Sequence, residues 1–208
     1  KIVADPYVAT LAAGENFSTT VTFPTQQGYL PYVNEEQHNT YELNVTAISE
    51  DMTVNVVYKP TNVNYTVIHY QQNVDNDNYT ETERETKQGL TGSQVPSVAK
   101  NYEGFYALMY EQPAIAADGS TVIEIYYDRC YYLMNFDLDG GYGVEPVYAR
   151  YGTPIAVGTP TKPGYTFVDW NGPIPSTMPA ENTKFTATWT VDTASFTVVF
   201  WYENANDD

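Results

Sequence analysis

A tandem repeat limits what this sequence can fold into more than any other feature. Similar segments recur about every 65 residues, with glycines and strand-like runs in the same order, which is typical of arrays of small structural units. The first strand-like run occurs as Tyr65–Tyr70, Tyr132–Asp137 and Phe196–Trp201. The closing run of each repeat occurs as Met52–Tyr58, Ser120–Tyr126 and Thr183–Trp189. A pair of glycines occurs as Gly14 with Gly28, Gly92 with Gly104 and Gly152 with Gly164. The sequence therefore predicts three modules, 1–61, 62–128 and 129–190. Residues 191–208 then hold the first strand of a further repeat, or a donor strand.

Apolar residues occupy every second position within the runs, as in strands with one buried face. In the first runs this face holds Tyr65, Val67 and His69, then Tyr132, Met134 and Phe136, then Phe196, Val198 and Phe200. In the first and third closing runs it holds Val54, Val56 and Tyr58, and Phe185, Ala187 and Trp189. In the second closing run two faces are possible, one with Val122, Glu124 and Tyr126 and the other with Thr121, Ile123 and Ile125. The residue types favour strands, so the chain is expected to be mainly β.

The charge balance excludes nucleic acid as a partner. The chain has 26 Asp and Glu against 9 Lys and Arg, for a net charge of -17. Binding a phosphate backbone needs basic side chains to release counterions, and they are scarce here. No apolar run approaches about 18 residues, so we expect no membrane span in this segment.

The third module carries a dense set of motif residues. It contains Phe136-Asp-Leu-Asp-Gly-Gly141, Pro146, Tyr151-Gly152, Pro160, Lys162-Pro-Gly-Tyr-Thr-Phe167, Trp170, Met178-Pro-Ala180, Asn182-Thr183, Ala187 and Trp189-Thr190. Nearly all of 131–190 resembles the Listeria–Bacteroides repeat, also called the internalin B-type repeat. One departure is Asp169, where that family usually has glycine. The second module, 62–128, resembles the mucin-binding-protein (MucBP) type of repeat.

These resemblances imply β-grasp-like modules in series, forming the stalk of a secreted or wall-attached adhesin on a bacterial cell surface. A module of about 60 residues buries only a modest core, so large aromatic residues are its natural anchors. The anchors expected in the third module are Phe136, Tyr165, Phe167, Trp170 and Trp189. Because the linkers are short, we expect an elongated rod.

The candidate chemical residues favour structural roles, so we expect a chain that is not an enzyme and takes no cofactor or metal. His69 aligns with Phe136 and Phe200, which favours an inner-face position over a catalytic base or metal ligand. Cys130 aligns with Val63 and Ala194, which favours a quiet, partly buried thiol.

One acidic run has some features of a calcium loop. The run 75–78 is followed by Glu81, Glu83 and Glu85, but it lacks the glycine and the spacing of an EF-hand. The sequence predicts a solvated hairpin end there.

Three functional hypotheses are compatible with these patterns. The first is a non-enzymatic spacer segment. The second is a segment that binds host or environmental glycan or protein through exposed tyrosines, since the pairs Tyr126-Tyr127 and Tyr131-Tyr132 place one ring of each outward. Candidate contacts are Tyr106, Tyr110, Tyr127 and Tyr131. The third is a filament subunit that self-associates through Phe196–Trp201, with residues 195–202 adding as a strand to a neighbouring copy.

Overall fold

The computed structural model describes residues 2–203 and 205, and every regular element in this part of the chain is a β-strand. The prediction of a mainly β chain is confirmed. The strands are β1 (Phe17–Thr22), β2 (Tyr29–Val33), β3 (Glu36–Gln37), β4 (Thr40–Val45), β5 (Val57–Pro60), β6 (Asn62–Gln72), β7 (Tyr79–Leu90), β8 (Phe105–Ala107), β9 (Val122–Arg129), β10 (Tyr131–Asp137), β11 (Val147–Arg150), β12 (Tyr165–Trp170) and β13 (Thr183–Val191). The described residues include no helix long and apolar enough to cross a membrane.

The chain divides into two compact units. The first unit comprises Lys1–Asn73, Asn78–Asn101 and Ala107–Asp128, and the second comprises Val74–Asp77, Tyr102–Tyr106 and Arg129–Asp208. The module boundaries predicted from the repeat are finer than this division and stay a prediction.

Two four-stranded sheets share one strand order. They read β7-β6-β9-β8 and β11-β10-β13-β12, so the first strand of each set lies in the centre. This strand pairs antiparallel with the second strand and parallel with the last. Because side chains alternate along a strand, each parallel pair presents one apolar face. In the first sheet that face holds Tyr65, Val67, His69, Ile123, Ile125 and Tyr127, all of them buried.

The same backbone hydrogen bonds recur in all three repeats. The N–H groups of Gly14, Gly92 and Gly152 each donate over 2.8 Å, to the carbonyl oxygens of Ile48, Ile115 and Met178 respectively. The three glycines have positive φ, which glycine adopts without steric cost. Beyond the closing strands, Thr61, Cys130 and Asp192 donate to the carbonyls of Gly28, Gly104 and Gly164. These bonds align the repeats independently of side chains.

The hydrogen-bonded alignment corrects the predicted counterparts in β10. Because Thr61, Cys130 and Asp192 share one position, Tyr65 corresponds to Met134 rather than Tyr132. His69 then corresponds to Leu138 instead of Phe136, and Cys130 no longer corresponds to Val63 and Ala194. The shift is two residues, so the inner face is preserved. Side-chain pattern alone did not reveal the shift, since period two is unchanged by it.

The closing strand of the second module buries the alternative face. Thr121, Ile123 and Ile125 are buried, whereas Val122 is 51% exposed. The prediction that Val122, Glu124 and Tyr126 form the buried face is therefore wrong. The parallel register explains the choice, because Ile123 lies beside Val67 and Ile125 beside His69.

The first module has smaller sheets, with strand orders β1-β4 and β3-β2-β5. Its closing strand β5 has 4 residues, whereas the corresponding β9 and β13 have 8 and 9. Among the described strands only β2 pairs with β5, so the second edge of β5 is open. The predicted run from Met52 is therefore a strand only at its end.

The core of the third module surrounds Met134, Phe136 and Met178, with Trp170 packed against it. Further aromatic rings on β12 and β13 extend from Trp170. Phe167 lies 5.4 Å from Trp170 and 5.6 Å from Trp189, measured between ring centroids. Tyr165 differs from the expectation of a core anchor, because it is 38% exposed at the start of β12.

Residues 192–203 contain no strand. Phe196, Val198 and Phe200 are 88%, 61% and 89% exposed, so the stripe predicted to be buried does not form in this segment. A first strand of this repeat is central and needs partners on both sides. Residues 204 and 206–208 of the predicted 191–208 segment lie outside the described part, as does residue 1.

Candidate functional site

An open aromatic groove lies beside the start of β12 in the second unit. Its volume is about 360 Å³. We call it the Trp189 groove, and it is lined by Tyr142, Thr159, Pro160, Thr161, Lys162, Pro163, Tyr165, Thr166, Phe167 and Trp189. The β12–β13 pairing sets Phe167 opposite Trp189, and the turn at Gly164 brings Lys162 next to Tyr165. The groove is thus built from the turn before β12 and from the β12–β13 pair.

Lys162 organises the Trp189 groove. Its Nζ lies 4.5 Å from the Tyr165 ring centroid and 5.7 Å from that of Trp189, both within cation–π range. The same ammonium donates to the Asp139 carbonyl oxygen at 2.6 Å. The Trp189 indole N–H donates to the Leu138 carbonyl oxygen at 3.1 Å, which fixes the ring. Partly exposed rings held in this way can stack on the apolar face of a sugar or on an apolar side chain.

A second aromatic surface lies on β10 and β11. The rings of Tyr131 and Tyr148 stack with centroids 5.3 Å apart, and the residues are 49% and 69% exposed. Arg150 Nε donates to the Tyr131 hydroxyl oxygen at 3.0 Å, and the guanidinium also pairs with Asp77. The hydrogen bond to Asp77 raises the pKa of Arg150 most, and the hydrogen bond to Tyr131 raises it further. Tyr131 is therefore outward-facing, as predicted.

The other candidate tyrosines differ from one another. Tyr106 is 51% exposed on β8. Tyr110 is half-buried, and its hydroxyl oxygen accepts the N–H groups of Val98 at 2.9 Å and Ala99 at 3.1 Å, which is a structural role. Tyr127 is 0% exposed and contacts no solvent, so it is corrected from a surface contact to a core residue. The one-residue error in the face of β9 caused this difference.

Tyr126 takes the outward position expected of Tyr127. Its ring stacks on Tyr70 at 4.9 Å, and Tyr79 meets it edge-on at 5.1 Å. Tyr70 and Tyr126 lie opposite each other in the parallel register of β6 and β9. Tyrosines in both runs of the sequence predict this cross-strand pair only when the correct register of β6 and β9 is known.

A buried polar cluster occupies the inner face of the first four-stranded sheet. His69 is 0% exposed, and its Nδ1 lies 2.8 Å from the Tyr127 hydroxyl oxygen. That oxygen also accepts the backbone N–H of Lys100 at 2.9 Å. His69 Nε2 lies 3.5 Å from Glu85 Oε1.

Two lysines neutralise the carboxylates beside this cluster. Glu85 pairs with Lys100 and, at 2.6 Å, with Lys87, and Lys100 also lies 2.6 Å from Glu83. Burial, then the positive charge of Lys100, lowers the pKa of His69. Burial likewise raises the pKa of Tyr127. At neutral pH both shifts favour the uncharged side chains, and His69 has no solvent-exposed surface.

The acidic run 75–78 forms the exposed end of the β6–β7 hairpin, as predicted. Asp77 pairs with Arg150, and Glu81 accepts two hydrogen bonds from Arg84 at 2.9 Å. Across residues 2–203 and 205, His, Cys, Asp and Glu form no group of three or more that is able to hold a metal ion. Cys130 is half-buried and is not in a disulfide.

No protein-family model matches the sequence, and no curated protein matches it significantly.

Proposed function

We propose that this chain is a non-enzymatic spacer segment of a bacterial cell-surface adhesin, built from β-grasp-like modules in an elongated series. The observation that carries the proposal is the repetition of one topology. The order β7-β6-β9-β8 recurs as β11-β10-β13-β12, and the glycine hydrogen bonds recur three times. Serial copies of one small unit suit a stalk, in which length matters more than any single site.

The polar residues of the chain support a structural role. The buried histidine, His69, is enclosed in the core and held by Tyr127. The net charge of -17 favours repulsion between neighbouring stalks and keeps them soluble. Both properties suit a crowded cell surface outside the cytoplasm.

Small-angle scattering extrapolated to zero concentration tests the elongated series. A compact globule of 208 residues has a radius of gyration of about 17 Å. We expect a clearly larger value and a distance distribution with a long tail. A radius near that of the globule would reject the rod.

A spacer test needs a functional readout. The segment is placed between a surface anchor and a tip domain of known ligand on displaying bacteria. Deleting the segment is expected to reduce ligand capture, while an unrelated rigid spacer of equal length restores it. If only this segment restores capture, it contributes binding rather than length.

The Trp189 groove favours a second candidate function, the binding of glycan or protein. Tyr142 is 61% exposed and Tyr165 is 38% exposed, beside the fixed ring of Trp189. With Phe167, four aromatic rings line this groove and offer the kind of flat apolar surface on which sugar rings or apolar side chains stack.

A glycan array with matched tyrosine variants tests this second function. Tyr165→Ala and Tyr142→Ala are expected to abolish any reproducible signal, because they remove stacking area without touching the buried core. Tyr148→Ala removes a comparably exposed ring outside the groove and is the control. Equal loss in all three variants would reject the Trp189 groove as the specific binding site.

A further inference from the structure

We propose that each four-stranded sheet is a load-bearing clamp, in which two parallel strands resist tension applied along the chain. The strand pairs are β6 with β9 and β10 with β13. This inference adds mechanical resistance to the spacer role. It depends on the topology of each sheet by itself, so it can fail or hold separately from the elongated series.

Tension along the chain loads the β6–β9 pair in shear. The chain enters the first four-stranded sheet at Asn62, the first residue of β6, and leaves it at Arg129, the last residue of β9. Because the two strands are parallel neighbours, these two points lie at opposite ends of the pair. Pulling them apart slides β6 along β9, so the hydrogen bonds between the strands bear the load together rather than one after another.

The second four-stranded sheet repeats this arrangement. The chain enters it at Tyr131, the first residue of β10, and leaves it at Val191, the last residue of β13. Residues 134–137 pair in parallel with residues 183–186. The rings of Phe136 and Phe185, which are partners in this register, stack with centroids 6.1 Å apart. In both sheets the strand that receives the tension therefore lies beside the strand that passes it on.

Side chains join β6 to β9 on both faces of the sheet. On one face the rings of Tyr70 and Tyr126 stack with centroids 4.9 Å apart. On the other face His69 Nδ1 lies 2.8 Å from the Tyr127 hydroxyl oxygen. Sliding β6 along β9 breaks these contacts together with the backbone hydrogen bonds, which raises the barrier to separation.

Burial keeps water from the centre of the β6–β9 pair. Val67, Ile123 and Ile125 are buried on the inner face, and Ile68 is buried on the opposite face. A backbone group that loses its partner without gaining a water molecule costs free energy. The hydrogen bonds at the centre of the pair therefore resist breaking singly.

The residues that flank the pair are themselves held by backbone hydrogen bonds. Thr61, directly before β6, donates its N–H to the Gly28 carbonyl oxygen at 2.8 Å, and its own carbonyl oxygen accepts the N–H of Thr91 at 2.9 Å. Cys130, directly after β9, donates its N–H to the Gly104 carbonyl oxygen at 2.8 Å. Tension thus reaches β6 and β9 through fixed points, which limits fraying from the strand ends.

Pulling one sheet in two directions tests the clamp. Single-molecule force spectroscopy uses the 208-residue chain in a Cys130→Ser background. Handles on Thr66→Cys and Asp128→Cys load β6 and β9 in shear. Handles on Thr66→Cys and Val122→Cys pull on two residues that lie side by side, so the bonds break one after another. We expect a severalfold higher unfolding force in the first geometry, and equal forces overturn the proposal.

Matched truncations separate the clamp from overall stability. Val67 of β6 and Val95, which lies outside the strands, are both buried, and Val67→Ala and Val95→Ala are each expected to lower the urea midpoint. Forced unfolding reports the barrier to unfolding rather than the equilibrium free energy. In a chain held at both ends, only Val67→Ala is therefore expected to lower the force of one unfolding event. An equal loss of force in Val95→Ala would overturn the proposal, since force would then follow overall stability.

These outcomes are distinct from those of the scattering measurement. A radius of gyration near that of a compact globule would reject the elongated series without changing the forces expected for either sheet. Equal forces in the two pulling directions would reject the clamp and leave the elongated series in place.

Discussion

At the scale of single residues, the two four-stranded sheets use different groups to provide a hydrogen-bond partner for an aromatic ring with a polar tip. His69 and Tyr127 occupy the positions of Leu138 and Trp189 in the aligned repeats. In one sheet the Tyr127 hydroxyl meets the His69 ring at 2.8 Å, and in the other the Trp189 indole donates to the Leu138 backbone at 3.1 Å. A buried ring with a polar tip needs such a partner.

The lowered pKa of His69 predicts an acid-sensitive fold. Its folded pKa lies below the unfolded value of about 6.5, so the unfolded state binds more protons as pH falls. The stabilising contribution is complete above about pH 6.5 and is lost as pH falls toward the folded pKa. His69→Leu, which copies the third module, is expected to flatten this dependence by up to one proton. Urea unfolding across this pH range measures the difference.

Tyr127→Phe is the control for that titration. It keeps the histidine, so the pH dependence is expected to remain. It removes a hydroxyl that bonds His69 and the Lys100 N–H, at a cost of about 1–3 kcal/mol in the free energy of unfolding. Glu83, Glu85, Lys87 and Lys100 face the same cluster and are unchanged in both variants. An unaltered slope in His69→Leu would assign the acid sensitivity to these carboxylates.

At the scale of elements, the register of β9 yields a matched pair of substitutions. Ile123→Asp buries a charge in the core of the first four-stranded sheet and is expected to cost at least about 3 kcal/mol. Val122→Asp changes the adjacent, half-exposed position and is expected to cost about 1 kcal/mol or less. Circular dichroism during urea unfolding compares the two. The reverse order of effects would contradict the register.

The two glycines on either side of β12 yield a second pair of substitutions. Gly164 has φ +74, and a methyl group on its Cα would meet open space, so Gly164→Ala adds backbone strain without a clash. The left-handed conformation costs about 1–2 kcal/mol for an L-residue. Gly172 also has open space but no such φ, so Gly172→Ala is expected to be near neutral. Tryptophan fluorescence follows both, because Trp170 and Trp189 lie in this module.

At the scale of the whole molecule, net charge predicts how copies interact. With a charge of -17 and a sequence pI near 4.2, copies repel at neutral pH and low ionic strength. Added salt screens this repulsion, since the screening length falls to about 8 Å at physiological ionic strength. We therefore expect the repulsion between copies to weaken as salt is added, which light scattering measures as a second virial coefficient that falls with ionic strength. A coefficient that rises with salt would indicate attraction through ion pairs instead.

Some of the fold was predictable from local pattern. Period-two alternation identified the strands of the second and third modules, and positive-φ glycines marked equivalent turns in all three. Both signals are local, because alternation follows from strand geometry and glycine placement from backbone sterics. The exposed hairpin end at 75–78 followed from composition alone.

The positions of individual rings were less predictable. Tyr127 and Tyr126 are adjacent, and a one-residue change in register exchanges which of them is buried. Tyr165 fits an apolar pattern but starts its strand at an open groove, where packing is incomplete. Lys162 was visible only as part of a turn, and its contacts with Tyr165 and Trp189 depend on how that turn folds against β13.

By itself, the sequence determined the repeat, the strand content and the acidic surface, since these depend on residue type and spacing along the chain. Tertiary structure decided which face of β9 is buried, which residues are true counterparts, and which strand positions are filled. Those properties arise from hydrogen bonds between segments far apart in the chain. A pattern of period two has the same appearance whether a strand is paired, as at Tyr65–His69, or exposed, as at Phe196–Phe200.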